Sequence, residues 1–503
     1  MNAVMCIAIF AKFRRLVMAT ALGAILPLAA LSSARAGIAT GVKAETLSNG
    51  LRVLVLENHK APVATLNVFY KVGARNEHFG ETGISHLCEH LMFRGTKKIK
   101  PEEFSNIIQE NGGEDNAFTE DDFTDYFEVI NKNHLDVPIT LEADRMANFD
   151  PQGFAMEKQV VLEELRMRIK DNPEDALDEI VRAQAFVAHP YHWPVIGWFH
   201  DVTGLTRADA MAYHAIYYSP RNAVIVAVGD FKAAQVLDDI RKEFGPVKNA
   251  PQPPPPVTEV EPPQDGLRQA EVRHAANLPA IEEAFHVPNL KSADAFPLEI
   301  ASEVLSDGKS ARLYKDLVID KRMVVDVNAG YDMTSFDPNL FVITAQMRPG
   351  VTAKAVLAEV DKQVAALRDH PVSAEELQKA KNLEQAEFVF GQDSIFNEAM
   401  MLGIYEMLGN YHLIDQYIPA IDRVTAAEVQ RVAKKYLIAT NMTKGVLVPT
   451  GLLPTQGGGG GPSGGAIHNS AWPLPAPGGR AWESDPARLG IESQPIPANE
   501  AMR

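Results

Sequence analysis

The chain has 503 residues, 65 of them acidic and 48 basic, a formal net charge of −17 and an isoelectric point near 5.3. That balance argues against nucleic acid as a partner, because phosphate binding relies on basic surface. The length allows more than one packed core, and two cysteines in all exclude a disulfide-stapled scaffold.

Residues 1–36 read as a leader. Lys12, Arg14 and Arg15 precede an apolar run from Leu16 to Leu31, and Ala34-Arg35-Ala36 before Gly37 fits a small-x-small cleavage site. The expectation is a secretory signal and a periplasmic protein with no stable membrane span after processing. A mitochondrial presequence is the rival, since the segment has no acidic residue. Losing it takes the net charge to −21 and removes Cys6, leaving Cys88 alone. Stability then rests on buried apolar area.

Residues 37–250 are expected to form a first α+β domain. Leu51–Glu57 and Ala64–Val72 read as strands. The stretch Gly83-Ile84-Ser85-His86-Leu87-Cys88-Glu89-His90-Leu91-Met92-Phe93-Arg94-Gly95-Thr96 reads as a helix. Residues four apart share a helix face, so His86 and His90 can aim two imidazoles at one point, with Glu89 beside them. Two nitrogen ligands at that spacing suit Zn²⁺, and the carboxylate is placed to take a proton from a metal-acidified water. The pattern is H-x-x-E-H, the inverzincin signature. Ile84, Leu87, Leu91 and Phe93 supply an apolar face, Gly95 a plausible C-cap, and Cys88, about 200° around the helix from His86, a core position.

A third ligand is sought in Glu157-Lys158-Gln159-Val160-Val161-Leu162-Glu163-Glu164-Leu165-Arg166-Met167, an uninterrupted helical run. Glu157 and Glu164 share a face, but spacing alone does not rank Glu157, Glu163 and Glu164. Between the motifs come a helix over Pro101–Glu110, a Gly112-Gly113 turn and a strand through Asn116 to Thr119 and on to Tyr126-Phe127. A largely helical region from Ile139 to Arg182 and a buried strand, Ala223–Gly229, complete the half.

Pro251-Gln252-Pro253-Pro254-Pro255-Pro256 and Pro262-Pro263 mark a stiff linker over 251–268. Residues 269–450 then repeat the first unit without its metal ligands. Leu205-Thr206-Arg207-Ala208-Asp209 leads to Tyr217 and an apolar strand, as Val424-Thr425-Ala426-Ala427-Glu428 leads to Tyr436 and a strand over Gly445–Val448, at a constant offset of 219. Gly308-Lys309-Ser310 is not a P-loop, because Glu303 stands where that motif needs glycine. From 451 to 503 the composition, with an unbroken Gly457–Gly461 run, predicts disorder.

Together these segments resemble the pitrilysin/insulinase family of zinc peptidases, in the branch containing the mitochondrial processing peptidase and small bacterial relatives. Further resemblance lies in Gly112-Gly113-Glu114-Asp115-Asn116-Ala117-Phe118-Thr119, Thr124-Asp125-Tyr126-Phe127, His189-Pro190-Tyr191 and Gly197-Trp198. The match spans residues 40–450. The resemblance implies two homologous α+β domains closing as a clamshell with a partner chain, and one Zn²⁺ per chain held by His86, His90 and Glu164. It makes Glu89 the general base, Glu157 a support for the ligands, and Asn116-Ala117 the strand edge that pairs with substrate backbone. Asp307-Gly308-Lys309-Ser310-Ala311-Arg312-Leu313-Tyr314 resembles a structural helix of the family. Just beyond it the chain departs: an Arg and a Tyr seven residues apart, which hold substrate and polarise its carbonyl, align with Val318 and Val325. Neither valine donates a hydrogen bond. The expectation is a zinc metalloendopeptidase acting on unfolded peptides, the catalytic subunit of a heterodimer whose zinc-free partner supplies the Arg/Tyr pair. A self-sufficient homodimer and a non-catalytic structural or peptide-binding subunit are the alternatives.

Overall fold

The structure, a computed structural model, describes residues 37–451. The expected leader lies outside the described residues, as does all but the first residue of the expected tail. The first half opens with β1 (Lys43–Thr46), β2 (Arg52–Glu57) and β3 (Val63–Tyr70), followed by α1 (Ile84–Met92) and α2 (Glu103–Glu110). The hairpin β4 (Glu114–Thr119) and β5 (Thr124–Asn131) precedes α3 (Asp136–Asn148), α4 (Phe154–Asp171), α5 (Pro173–Ala185), α6 (Phe199–Gly204) and α7 (Arg207–Tyr217). Then come β6 (Ala223–Gly229) and α8 (Ala233–Phe244). The second half comprises β7 (Arg268–His274), β8 (Ala280–Val287), α9 (Ala295–Ser306), β9 (Val324–Tyr331), β10 (Asn339–Met347), α10 (Ala353–Asp369), α11 (Ala374–Phe390), α12 (Ile395–Met407), α13 (Tyr417–Arg423), α14 (Ala426–Tyr436) and β11 (Met442–Pro449).

Two sheets result, ordered β1-β2-β6-β3-β5-β4 and β7-β11-β8-β10-β9. Apart from the extra β1 they superimpose as topologies, down to the single parallel pair in each, β2 with β6 and β7 with β11. This is the repeat expected from the offset of 219. In both copies Thr caps the recurring helix: Thr206 Oγ1 and Thr425 Oγ1 each accept from the backbone N–H three residues on, in a capping box.

Strand alternation assigns the faces. Val53, Val55, Leu66, Val68, Ile225 and Ala227 join α1, α3 and α7 in one core. The opposite face of the same sheet, with Leu54, Phe69, Val224, Val226 and Val228, is covered by α12 of the second half through Met400, Met401, Leu402, Ile404 and Tyr405. Reciprocally, α5 of the first half lays Leu177, Val181 and Ala185 on Ala280, Ala284, Leu340 and Leu447 of the second sheet. Each half therefore lends a helix to the other.

Polar contacts reinforce the exchange. Arg75 reaches Asp337 at 2.7 Å, Asp122 accepts from the Phe336 amide at 2.8 Å and from Tyr191 Oη, and burial pushes the Asp122 carboxyl up to about 7. The stiff linker is also anchored: Glu261 accepts from the backbone N–H groups of Val187, Ala188 and His189 at 2.9–3.1 Å. The segment expected as a helix around Leu313-Tyr314 winds as a π-helix over Tyr314–Asp320, followed by Arg322 in the left-handed region at φ 53°. Among the described residues no helix is long and apolar enough to cross a membrane.

Candidate metal centre

The N-terminus of α1 is fixed from outside the helix. Gly83 adopts φ 84°, and the Gly83 and Ser85 amides each donate to Glu77 at 2.8 Å. That carboxylate satisfies donors which an Asp or Ser N-cap usually serves, and burial pushes its pKa up to about 8. Gly197 crosses at this point. A Cβ on it would lie 2.4 Å from the Gly83 nitrogen, so glycine is required by close approach.

Ile84, Leu87, Cys88 and Leu91 enter the core, which turns His86, Glu89 and His90 toward α4 and β4. Cys88 is fully buried with Sγ 3.8 Å from the Ala210 carbonyl, the core role expected of it. Glu164 Oε2, on α4, lies 3.4 Å from His90 Nε2 and 3.8 Å from His86 Nε2. A tetrahedral zinc with bonds of 2.0–2.1 Å has ligand-to-ligand edges of about 3.3–3.4 Å. The donor set thus fits a metal with small adjustment, its atoms all lying within 4.8 Å of one another. Glu157, seven residues earlier on the same face, accepts from His90 Nδ1 at 3.0 Å, in the tautomer that presents the Nε2 lone pair to a metal. Glu163 points elsewhere, pairing with Arg166 at the surface. Of the three glutamates left open by spacing, Glu164 is the one grouped with both histidines.

The electrostatics follow from the crowding of these groups. Burial lowers the His86 pKa well below the ordinary histidine value. Burial also opposes a charge on His90, but the carboxylates of Glu157 and Glu164 outweigh it and raise His90 to about 10. Burial works against ionised Glu164, yet His86, His90 and Arg168 hold it far below the usual range. Glu89 is raised by burial, tempered by His90 and by Thr119 Oγ1, which donates to Glu89 Oε2 at 2.7 Å.

Four contributors escape motif reading. Glu77 caps α1, Thr119 holds Glu89, Arg94 Nε lies 3.3 Å from Glu157, and Arg168 Nη2 lies 3.2 Å from Glu164 Oε1. Arg94 and Arg168 flank the motifs closely enough to have been candidates, whereas nothing in the sequence links Glu77 or Thr119 to the helix. Asn116 and Ala117 lie on β4, which ends the sheet order and has a neighbour on one side only. Asn116 Oδ1 accepts from the Ala117 amide at 2.9 Å, and the Ala117 side chain is buried. Val318 packs partly against the second core. In the second half, Glu299 and Glu303 of α9 with Glu384 of α11 gather three carboxylates at the topological place of the first-half triad. Among the described residues no histidine joins them, and an all-oxygen set suits zinc less well than the mixed one.

Two matched sheets with exchanged helices, and a His-His-Glu triad backed by a carboxylate on the same helix, define the pitrilysin-type metallopeptidase fold. Residues 52–197 match the family described as insulinase (peptidase family M16), and residues 204–384 match the M16 inactive domain. The "Zinc protease PqqE" of Helicobacter pylori is 34% identical over 410 residues, covering 80% of this chain and 92% of that protein. A "probable mitochondrial-processing peptidase subunit beta" of Arabidopsis thaliana is 30% identical over 208 residues, 41% of this chain and 39% of that one. The crystal structure of a protease from Helicobacter pylori matches with a TM-score of 0.78 at 32% identity, covering 81% of this chain and 99% of that one. The chain belongs to the insulinase family, peptidase family M16.

Proposed function

We propose that the chain is a zinc-dependent endopeptidase of unfolded peptides, with His86, His90 and Glu164 as metal ligands and Glu89 as general base. The observation that carries this reading is the convergence of Glu164 Oε2 on both Nε2 atoms, 3.4 and 3.8 Å away, with Glu89 one residue before His90. Zinc, when bound there, supplies Lewis acidity that lowers the pKa of a water and polarises a carbonyl. Glu89, fixed by Thr119, takes the proton of the attacking water and returns it to the leaving amine. Glu157 holds the His90 ring in the required tautomer. The peptide adds as a strand beside β4 at Asn116-Ala117, where main-chain groups give affinity without strict sequence demand.

With Val318 and Val325 at the places of the family's Arg and Tyr, full activity is assigned to a heterodimer with a related zinc-free chain. From the leader's residues alone we further propose action after export, in the periplasm. Glu89→Gln is expected to leave zinc binding intact and to lower peptide turnover by at least 10²-fold; a variant that still turns over at the parental rate refutes the assignment. The two valines also favour a second reading, a non-catalytic peptide-binding subunit. Assay of the chain alone and with a related zinc-free chain separates the two, since that reading predicts no hydrolysis in either mixture.

A further inference from the structure

The two oxygens of Glu164 are used differently. Oε2 faces the two histidine nitrogens, while Oε1 is engaged by Arg168 Nη2 at 3.2 Å, one helical turn on. An ion pair within one turn of a helix is ordinarily a solvated surface pair of little weight, and Arg166 with Glu163, at i,i+3, is such a pair, its side chains 41% and 62% exposed. Arg168 and Glu164 are each 16% exposed, and Arg168 Nε is buried without a hydrogen-bond partner of its own. Two adjacent Glu–Arg pairs on α4 therefore differ: one is solvated, the other is directed into the triad.

A carboxylate can bind a metal through one oxygen or both. Were Glu164 free to rotate, its second oxygen could fill the position that a catalytic site keeps open for water. Resting on the metal assignment above, we propose that Arg168 is a positioning residue that occupies Glu164 Oε1, restricts Glu164 to one-oxygen ligation and keeps the fourth position open. Arg94 completes a matching arrangement behind His90, with its guanidinium on Glu157 and Glu157 on the imidazole. Each end of the α4 carboxylate pair is held by an arginine.

The test uses the full chain, stripped by chelation and titrated with Zn²⁺ or Co²⁺ alone. Arg168→Leu is expected to weaken zinc about 10–100-fold, the usual effect of losing a group that orients a ligand. It is also expected to shift the visible spectrum of the cobalt form from four- toward five-coordinate and to lower kcat with KM little changed. Arg168→Lys, which keeps a charge within reach of Oε1, restores most of each. Leu at 168 with the parental zinc affinity and cobalt spectrum overturns the proposal. Should that variant not fold, Arg168→Gln replaces it, and equal zinc affinities for the Lys and Gln forms overturn the proposal. A parental chain that takes up no zinc, or a Glu164→Gln form with unchanged affinity, instead sinks the metal assignment itself.

Discussion

His214 of α7 lies flat between two rings, 4.1 Å from Phe149 and 4.8 Å from Tyr218, with Nε2 buried and unpartnered. Burial lowers its pKa from 6.5 to about 3. The folded state holds it neutral while the unfolded state binds its proton below pH 6.5, so its contribution is complete above 6.5 and is lost as pH falls toward 3. The slope is about 1.4 kcal/mol per pH unit across that window. His214→Phe keeps an aromatic ring in the stack without the titration, so urea midpoints measured from pH 7 to 4 should fall less steeply than in the parent. Parallel curves would refute it. Residues of this kind were invisible in the sequence, whereas His86, Glu89 and His90 were legible because a single helical period sets their geometry. From spacing Glu164 was legible only as one of three, and the family resemblance alone singled it out, since a helix run shows which residues share a face and not which face meets the histidines. Thr119 acts across 30 residues through one hydrogen bond and Glu77 across 6 and 8 through two, contacts for which the sequence carries no local signal.

At the scale of elements, the strands were readable wherever both faces are apolar: β6 is buried along its whole length, as a continuous run of Val, Ile and Ala requires. What covers each face was not readable. α5 and α12 carry ordinary apolar patterns, and nothing in such a pattern distinguishes packing on the home sheet from packing on the other one. The contact itself is tight. A Cβ on Gly403 of α12 would lie 2.2 Å from Cε2 of Phe69 on β3, and both sides are held by their own elements. Gly403→Ala is therefore expected to destabilise the protein by about 1–3 kcal/mol, the cost of overpacking a dense core, despite alanine's better helix propensity. Chemical denaturation checks this, and an unchanged or raised stability would show that α12 can slide on the sheet. The π-helix over Tyr314–Asp320 was likewise missed, because the extra residue per turn leaves the apolar spacing too short to distinguish from an α-helix.

For the whole molecule the helix exchange has a larger consequence than the proline linker. The linker suggested two domains joined by a stiff spacer, yet each leaves one sheet face to be covered by the other. Met400, Met401, Leu402, Ile404 and Tyr405 are all nearly inaccessible against the first sheet. At roughly 1.5–3 kcal/mol for each large side chain fully buried, that helix alone contributes on the order of 10 kcal/mol. This equals the entire net stability of a typical domain. Residues 37–250 expressed without the remainder should then be expanded, bind a hydrophobic dye and show no cooperative melt, even with zinc supplied. Cleavage within 251–257, by contrast, should leave both fragments associated through a single cooperative transition, because Glu261 and the two exchanged helices remain in place. Size-exclusion chromatography of the nicked chain decides between the two views. Fragments that separate under native conditions would mean that the halves are autonomous and that the exchanged helices are a minor contact.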